Sequence, residues 1–191
     1  MNVALRRPMT QDEFFGWAQS QGGRYEFDGV QPVAMTGGTL GHNQIMLAIH
    51  RALDRRLADG PCTALGPDAG VVTIGDIVRY PDAVVTCSKF SRSDHYVPFP
   101  VVVFEVISPG SLRLDRVVKL REYQAVSSLR VYVIVESDAP AVTVLSRDRD
   151  GESFKAVGLT EDDVLDLPAV GISIAVAEFY AGVVFSDGSG S

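Results

Sequence analysis

The chain has 191 residues, 46% apolar and 21% charged, with 17 basic and 24 acidic side chains and a net charge of −7. That length suits one domain burying roughly 70% of the surface its unfolded form exposes, and the composition excludes a disordered, collagenous or coiled-coil protein. The net acidity argues against a nucleic-acid binder with a general basic coat, but residues 1–135 hold 14 basic and 13 acidic side chains while residues 136–191 hold 3 and 11.

The first residues, MNVALRRP, lack the 7–15-residue apolar run of a signal peptide. No stretch approaches the ~20 uninterrupted apolar residues of a membrane span. The expectation is a cytoplasmic domain with no membrane contact. Residues 10–18, TQDEFFGWA, read as a helix, with Thr10 and Glu13 in the spacing of a capping box; Phe14, Phe15 and Trp17 are its core-facing residues. RYEFDGVQPVAMTGG (24–38) contains two short strands joined at Asp28-Gly29, a dipeptide typical of tight hairpins. TGGTLG (36–41) lacks the GK[ST] of a nucleotide-binding loop, which excludes ATP binding there. His42 follows it and reads as a polar helix-start residue, with a phosphate contact as the other reading. From Gly41 to Ala58, Ile45, Ile49, Ala52 and Leu53 recur at helical spacing.

A strand-rich stretch follows. AGVVTI (69–74) and IVRYPDAVVTC (77–87) form a second predicted hairpin around Gly75-Asp76. Cys62 and Cys87, the only cysteines, have no CxxC spacing and no neighbouring histidine, so neither a disulfide framework nor a zinc site is expected, in keeping with a reducing compartment. His95 and Tyr96 fall in a polar loop, SRSDHYVP, read as ordinary surface. VVVFEVIS (101–108) and VYVIVE (131–136) are near-continuous apolar runs, the pattern of strands buried on both faces. Residues 114–126 between them return to helical spacing. Ala141–Leu145 and Ser153–Val157 are predicted exposed strands around Asp150-Gly151. ISIAVAEFYAGVV (172–184) is predicted to close with a short helix, and SDGSGS (186–191) to be a disordered tail. The predicted order α-β-β-α-β-β-β-α-β-β-β-α, with strand, helix, strand in its middle, points to a mixed sheet with helices packed against it, in the α/β or α+β class.

Carboxylates inside apolar strands are the informative feature, because an unpaired buried charge is expensive. Asp82 stands at the head of one such strand and Glu105 in the middle of another. Each has a structural alternative: Asp82 as a strand-end turn residue, Glu105 as half of a buried ion pair. Together on adjacent strands they could converge, and hard oxygen ligands in a concave site select Mg²⁺ or Mn²⁺. The following helix carries Asp115, Lys119 and Tyr123 at i, i+4 and i+8, on one stripe. An Asp115–Lys119 surface bridge is the plain alternative, although the chain has only three lysines against fourteen arginines. Residues 111–130 hold Arg113, Arg116, Lys119, Arg121 and Arg130 against Asp115 and Glu122, leaving open either a compact basic face or a solvated helix of mixed charge. There is no GxSxG, and covalent hydrolase chemistry finds no support.

RYEFDG (24–29), RYPDAVV (79–85), and FEVISPGS (104–111) with the downstream D-x-x-x-K-x-x-x-Y (115–123) resemble the PD-(D/E)XK nuclease superfamily. Within it they resemble a restriction-endonuclease-like family of cyanobacteria and other bacteria, of the domain-of-unknown-function type. The resemblance runs from about Thr10 to Phe179. It implies a restriction-endonuclease-like mixed central sheet flanked by helices, in one domain over residues 1–185. It further implies a metal-dependent endonuclease cleaving DNA phosphodiester bonds, with DNA as partner, Mg²⁺ or Mn²⁺ as cofactor, and room for a homodimer. Asp82 matches the aspartate of the PD motif and Glu105 the acid of the next strand; these two and the Val106 backbone carbonyl would bind the metal. The lysine usually found two residues beyond that acid is replaced by Ile107, and Lys119 on the next helix matches it instead. Glu26 matches an acid that lines the metal pocket in related nucleases. The competing expectations are a catalytically inactive nuclease-fold module for binding or assembly, and a metallohydrolase acting on another substrate.

Overall fold

In the computed structural model, residues 8–107, 113–149 and 152–185 are described, without the side chains of 113–115. The predicted tail at 186–191, the turn at Asp150-Gly151 and the Asp115 side chain lie outside the described residues. The architecture is the expected mixed α+β one.

Local chemistry sets the first elements. Helix α1 (Gln11–Ala18) starts at Thr10, whose hydroxyl accepts from the Glu13 amide while the Glu13 carboxylate accepts from the Thr10 amide. Strands β1 (Tyr25–Phe27) and β2 (Pro32–Ala34) pair antiparallel. Their turn is closed by Asp28 Oδ1, which accepts from the amides of Val30 and Gln31. Gly29 sits there at φ 89°, where a Cβ would also press on the Gly75 carbonyl at 3.1 Å. Helix α2 (Leu40–Leu57), capped by Thr39, buries Ile45, Ala48, Ile49, Ala52, Leu53 and Leu57. The isoleucines and leucines among them are worth roughly 1.5–3 kcal/mol each.

The main sheet has six strands in the order β10-β9-β8-β7-β6-β3. These are β3 (Thr63–Leu65), β6 (Ala83–Thr86), β7 (Pro100–Ile107), β8 (Val131–Glu136), β9 (Ala141–Ser146) and β10 (Lys155–Thr160). All pairs are antiparallel except β7 with β8, which are parallel and joined through helix α3 (Arg113–Gln124). One face, through Ala83, Phe104, Val106 and Val133, packs against α2. The other, through Val84, Val103, Ile107 and Ile134, packs against Tyr123 and Leu120 of α3. A smaller sheet, β2-β1-β5-β4, is completed by β4 (Val71–Val72) and β5 (Val78–Arg79) and covered by Phe14 and Phe15 of α1. Strands β11 (Val164–Leu167) and β12 (Ile172–Ala175) form a hairpin, and a 3-10 turn over Val176–Tyr180 closes the core.

Four expectations are corrected. IVRYPDAVVTC is two strands, not one: β5 belongs to the small sheet and β6 to the large one. The break falls at Tyr80-Pro81-Asp82, where proline brings no amide to a ladder. Strands β3, β11 and β12 are additions to the predicted order, being only three or four residues long. The strand over Ala141–Ser146 is half-buried rather than exposed, while β10 beyond it is exposed. Finally, Cys62 and Cys87 are joined in a disulfide. Pairing of Thr63 with Thr86 carries on to the next position and sets the two sulfurs opposite each other, so the cysteine argument for a reducing compartment falls away.

Candidate functional site

The ladder that pairs Ala83 with Phe104 places Asp82, one step earlier, opposite Glu105, one step later. Both carboxylates therefore stand at the end of β6 where it meets β7. Asp82 Oδ2 accepts from the Val106 amide at 2.7 Å, while Oδ1 has no hydrogen bond among the described residues. Glu105 is 5% exposed and shares its face of the sheet with Val103 and Ile107. The crossover brings α3 over that face. Lys119 Nζ donates to Glu105 Oε2 at 3.0 Å and Tyr123 Oη to Oε1 at 2.9 Å. The i, i+4 spacing of Lys119 and Tyr123 thus delivers an ammonium and a phenol to one carboxylate. Ile107 is packed into the core, so the positive charge reaches Glu105 from the helix.

Burial pushes the Glu105 carboxyl above its ordinary value; Lys119 opposes the shift, and the negative charges of Asp82 and Glu26 add to it. The Tyr123 hydroxyl is raised too, first by burial and then by Glu105. Glu105 is therefore half of a buried ion pair, as its structural alternative held, and it also faces a second carboxylate.

Glu26 is placed differently. Its Oε2 accepts from Arg79 Nη1 at 2.7 Å, and Oε1 from the Tyr80 amide at 3.5 Å. The same guanidinium forks onto Glu122 of α3 at 2.6 and 2.7 Å. Burial works against the charge on Arg79, but Glu122 and Glu26 outweigh it and hold its pKa above the usual guanidinium range. Glu26 therefore pairs with Arg79 while its negative charge still bears on Glu105.

Two histidines join the site: His42, which the sequence marks as a helix-start residue with a phosphate contact as the other reading, and His50, which it does not single out. His42 Nε2 lies 3.4 Å from Asp82 Oδ2. That contact raises the imidazole pKa, burial opposes it, and a hydrogen bond to the Val106 backbone adds to the rise. His50 Nε2 is 2.9 Å from the Asp82 backbone carbonyl. Their eight-residue separation, two helical turns, is the available signal; which strand end that stripe faces is not in it. A Cβ on Gly38 would meet the His42 ring at 2.8 Å, so this glycine is what lets the loop lie against the imidazole.

Among the described residues, no three His, Cys, Asp or Glu side chains form a ready-made metal cage. The donor set still fits a divalent cation. A carboxylate offers about four lone-pair positions, Lys119 and Tyr123 occupy two on Glu105, and Asp82 Oδ1 is uncommitted among the described residues. A cavity of about 590 Å³ lies elsewhere, between α1 and the loop at 90–98. It is lined in part by Phe15, Tyr25, Tyr80, His95 and Tyr96. His95 stacks on Phe15 and contacts Gln19, away from the carboxylates.

The family model Uma2, described as "Putative restriction endonuclease", matches residues 11–177. An uncharacterized protein of Synechocystis is 28% identical over 180 residues, covering 93% of this chain and 94% of its own. The crystal structure of a protein from Anabaena variabilis, described as a "putative nuclease belonging to DUF820", superposes with a TM-score of 0.69 at 16% identity. The match covers 91% of this chain and 98% of that one; at such identity the likeness carries the fold alone. No helix among the described residues is long and apolar enough to cross a membrane.

Proposed function

The chain belongs to the Uma2 family, and from that premise we propose that it is a metal-dependent endonuclease acting on DNA phosphodiester bonds, as one domain over residues 1–185. One observation carries the reading: two carboxylates stand opposite each other one position before the β6–β7 ladder begins, with an ammonium from α3 on the inner one.

Asp82, Glu105 and the Val106 carbonyl would hold Mg²⁺ or Mn²⁺. Such an ion, when bound, lowers the pKa of a coordinated water and neutralises charge on the phosphate. The rest is done by the chain. The Val106 amide and the His50 ring fix Asp82 at its side chain and its carbonyl. Tyr123 holds Glu105 so that its outer lone pairs keep one direction. Lys119 stands on the same helical stripe, where its ammonium supplies donors to charge developing on the phosphate oxygens. The Arg79 cluster carries no step; it ties β1, β5 and α3 together behind the carboxylates.

The rival reading is a catalytically inactive module, favoured by the fact that both Glu105 oxygens already have donors within the protein. Incubation of supercoiled plasmid with the purified protein separates the two. Nicking that needs Mn²⁺ and disappears in Asp82→Ala supports the nuclease. A wild-type protein that binds DNA and leaves it intact in Mn²⁺ and in Mg²⁺ supports the module.

A further inference from the structure

We propose that His42 is a further ligand of this metal site and that its nitrogen tilts the site toward Mn²⁺ over Mg²⁺; the inference rests on the metal-dependent reading above. The imidazole sits beside a carboxylate expected to hold the ion. Nε2 is 3.4 Å from Asp82 Oδ2.

The ring is also held in place. His42 lies in the first turn of α2, its amide bound to the Thr39 hydroxyl at 3.2 Å, and Gly38 closes on its Cγ and Nδ1 so tightly that one methyl would displace it. Further along α2, His50 grips the Asp82 carbonyl. One helix therefore fixes both the aspartate and the nitrogen next to it. The side chain of His42 is 24% exposed, which leaves an approach for an ion. Mg²⁺ prefers an all-oxygen shell, whereas Mn²⁺ and later divalent ions accept imidazole with growing affinity. A carboxylate pair, a carbonyl and one imidazole make a mixed set, so the preference follows from His42.

The test is metal binding without DNA. Calorimetric titration of the full chain with MnCl₂ and with MgCl₂ is compared for wild type, Asp82→Ala, His42→Ala and His42→Gln. Electron-spin-echo spectra of the Mn²⁺-loaded proteins report any directly bound nitrogen. We expect His42→Ala to weaken Mn²⁺ binding at least about tenfold, to weaken Mg²⁺ binding much less, and to lose the nitrogen modulation. His42→Gln, which puts an amide oxygen near the position of Nε2, should retain Mg²⁺ binding and lose the Mn²⁺ preference. If Mn²⁺ binds wild type, needs Asp82, and is unchanged in His42→Ala, the ligand role is overturned and the metal-dependent reading stands. Equal weakening of both ions with the nitrogen signal intact overturns it as well. If wild type binds neither ion, both readings fall.

Discussion

In the Glu26–Arg79–Glu122 cluster, one guanidinium answers two carboxylates and all four carboxylate oxygens accept a hydrogen bond. Just beyond Arg79 in the chain, Asp82 faces Glu105; one ammonium reaches the pair, on the Glu105 side, and an Asp82 oxygen takes no bond among the described residues. Both clusters are largely buried and both come from the same kinds of residue. In the first, the charges are pinned: Arg79 is held firmly cationic. In the second, the inner carboxyl is pushed toward its neutral form. Each cluster sets two carboxylates against one fixed cation, so the difference lies in bonding: where every carboxylate oxygen is satisfied the cluster holds the fold together, and where one is left open among the described residues it can take up a cation.

The comparison is broken most severely at Arg79. Arg79→Met strands Glu26 and Glu122 without a counter-charge and should cost about 3–5 kcal/mol, read from urea denaturation midpoints. A loss below about 1 kcal/mol would mean that this cluster is no firmer than a surface pair. Next is Lys119→Ala, expected to slow single-turnover plasmid cleavage in Mn²⁺ by about 10²–10³-fold. Lys119→Arg should restore the charge but little of the rate, because a planar fork does not reproduce a point ammonium. Near-wild-type cleavage by Lys119→Ala would leave the carboxylate pair as the only chemical element of the site.

Tyr123→Phe removes the bond to Glu105 Oε1 without opening a cavity, and should cost about 1–2 kcal/mol in thermal or chemical denaturation. Equal stability would show that Lys119 alone suffices to hold Glu105. The smallest effect sharpens the contrast in the second cluster. Because the folded protein keeps the Glu105 proton to higher pH than the unfolded chain does, Glu105 ionisation lowers stability as pH rises above the ordinary value of 4.5. Metal-free Glu105→Gln should therefore match or exceed wild type at neutral pH, and lose its advantage toward pH 4. A variant markedly less stable at neutral pH would make Glu105–Lys119 a structural pair like that of Arg79.

Where the code is local, the residues speak for themselves. Thr10 and Glu13 are three apart, the Asp28-Gly29 turn closes on its own side chain, and the isoleucines of α2 recur every helical turn; each is a contact between near neighbours in sequence. The eight-residue strand around Glu105 is legible for a related reason, because burial on both faces writes an unbroken apolar run. The candidate carboxylates and Lys119 stand out as polar residues against that background.

Other features depend on register between segments far apart in the chain, and no spacing encodes register. β5 and β6 look like one strand, yet Pro81 hands the chain from one sheet to the other. Cys62 meets Cys87 because β3 pairs with β6, and a three-residue strand leaves almost no periodicity to read. Glu26 has the sequence context of a pocket acid; Arg79, 53 residues on, draws it into a structural cluster. His42 has that of a helix-start residue, and only the docking of α2 sets its first turn beside Asp82. Chemistry-bearing residues can thus be nominated from the sequence, since burial cost marks them out. Which of them share a counter-charge and which are left wanting one is decided by long-range packing, because a Coulomb interaction depends on distance in space and not on distance along the chain.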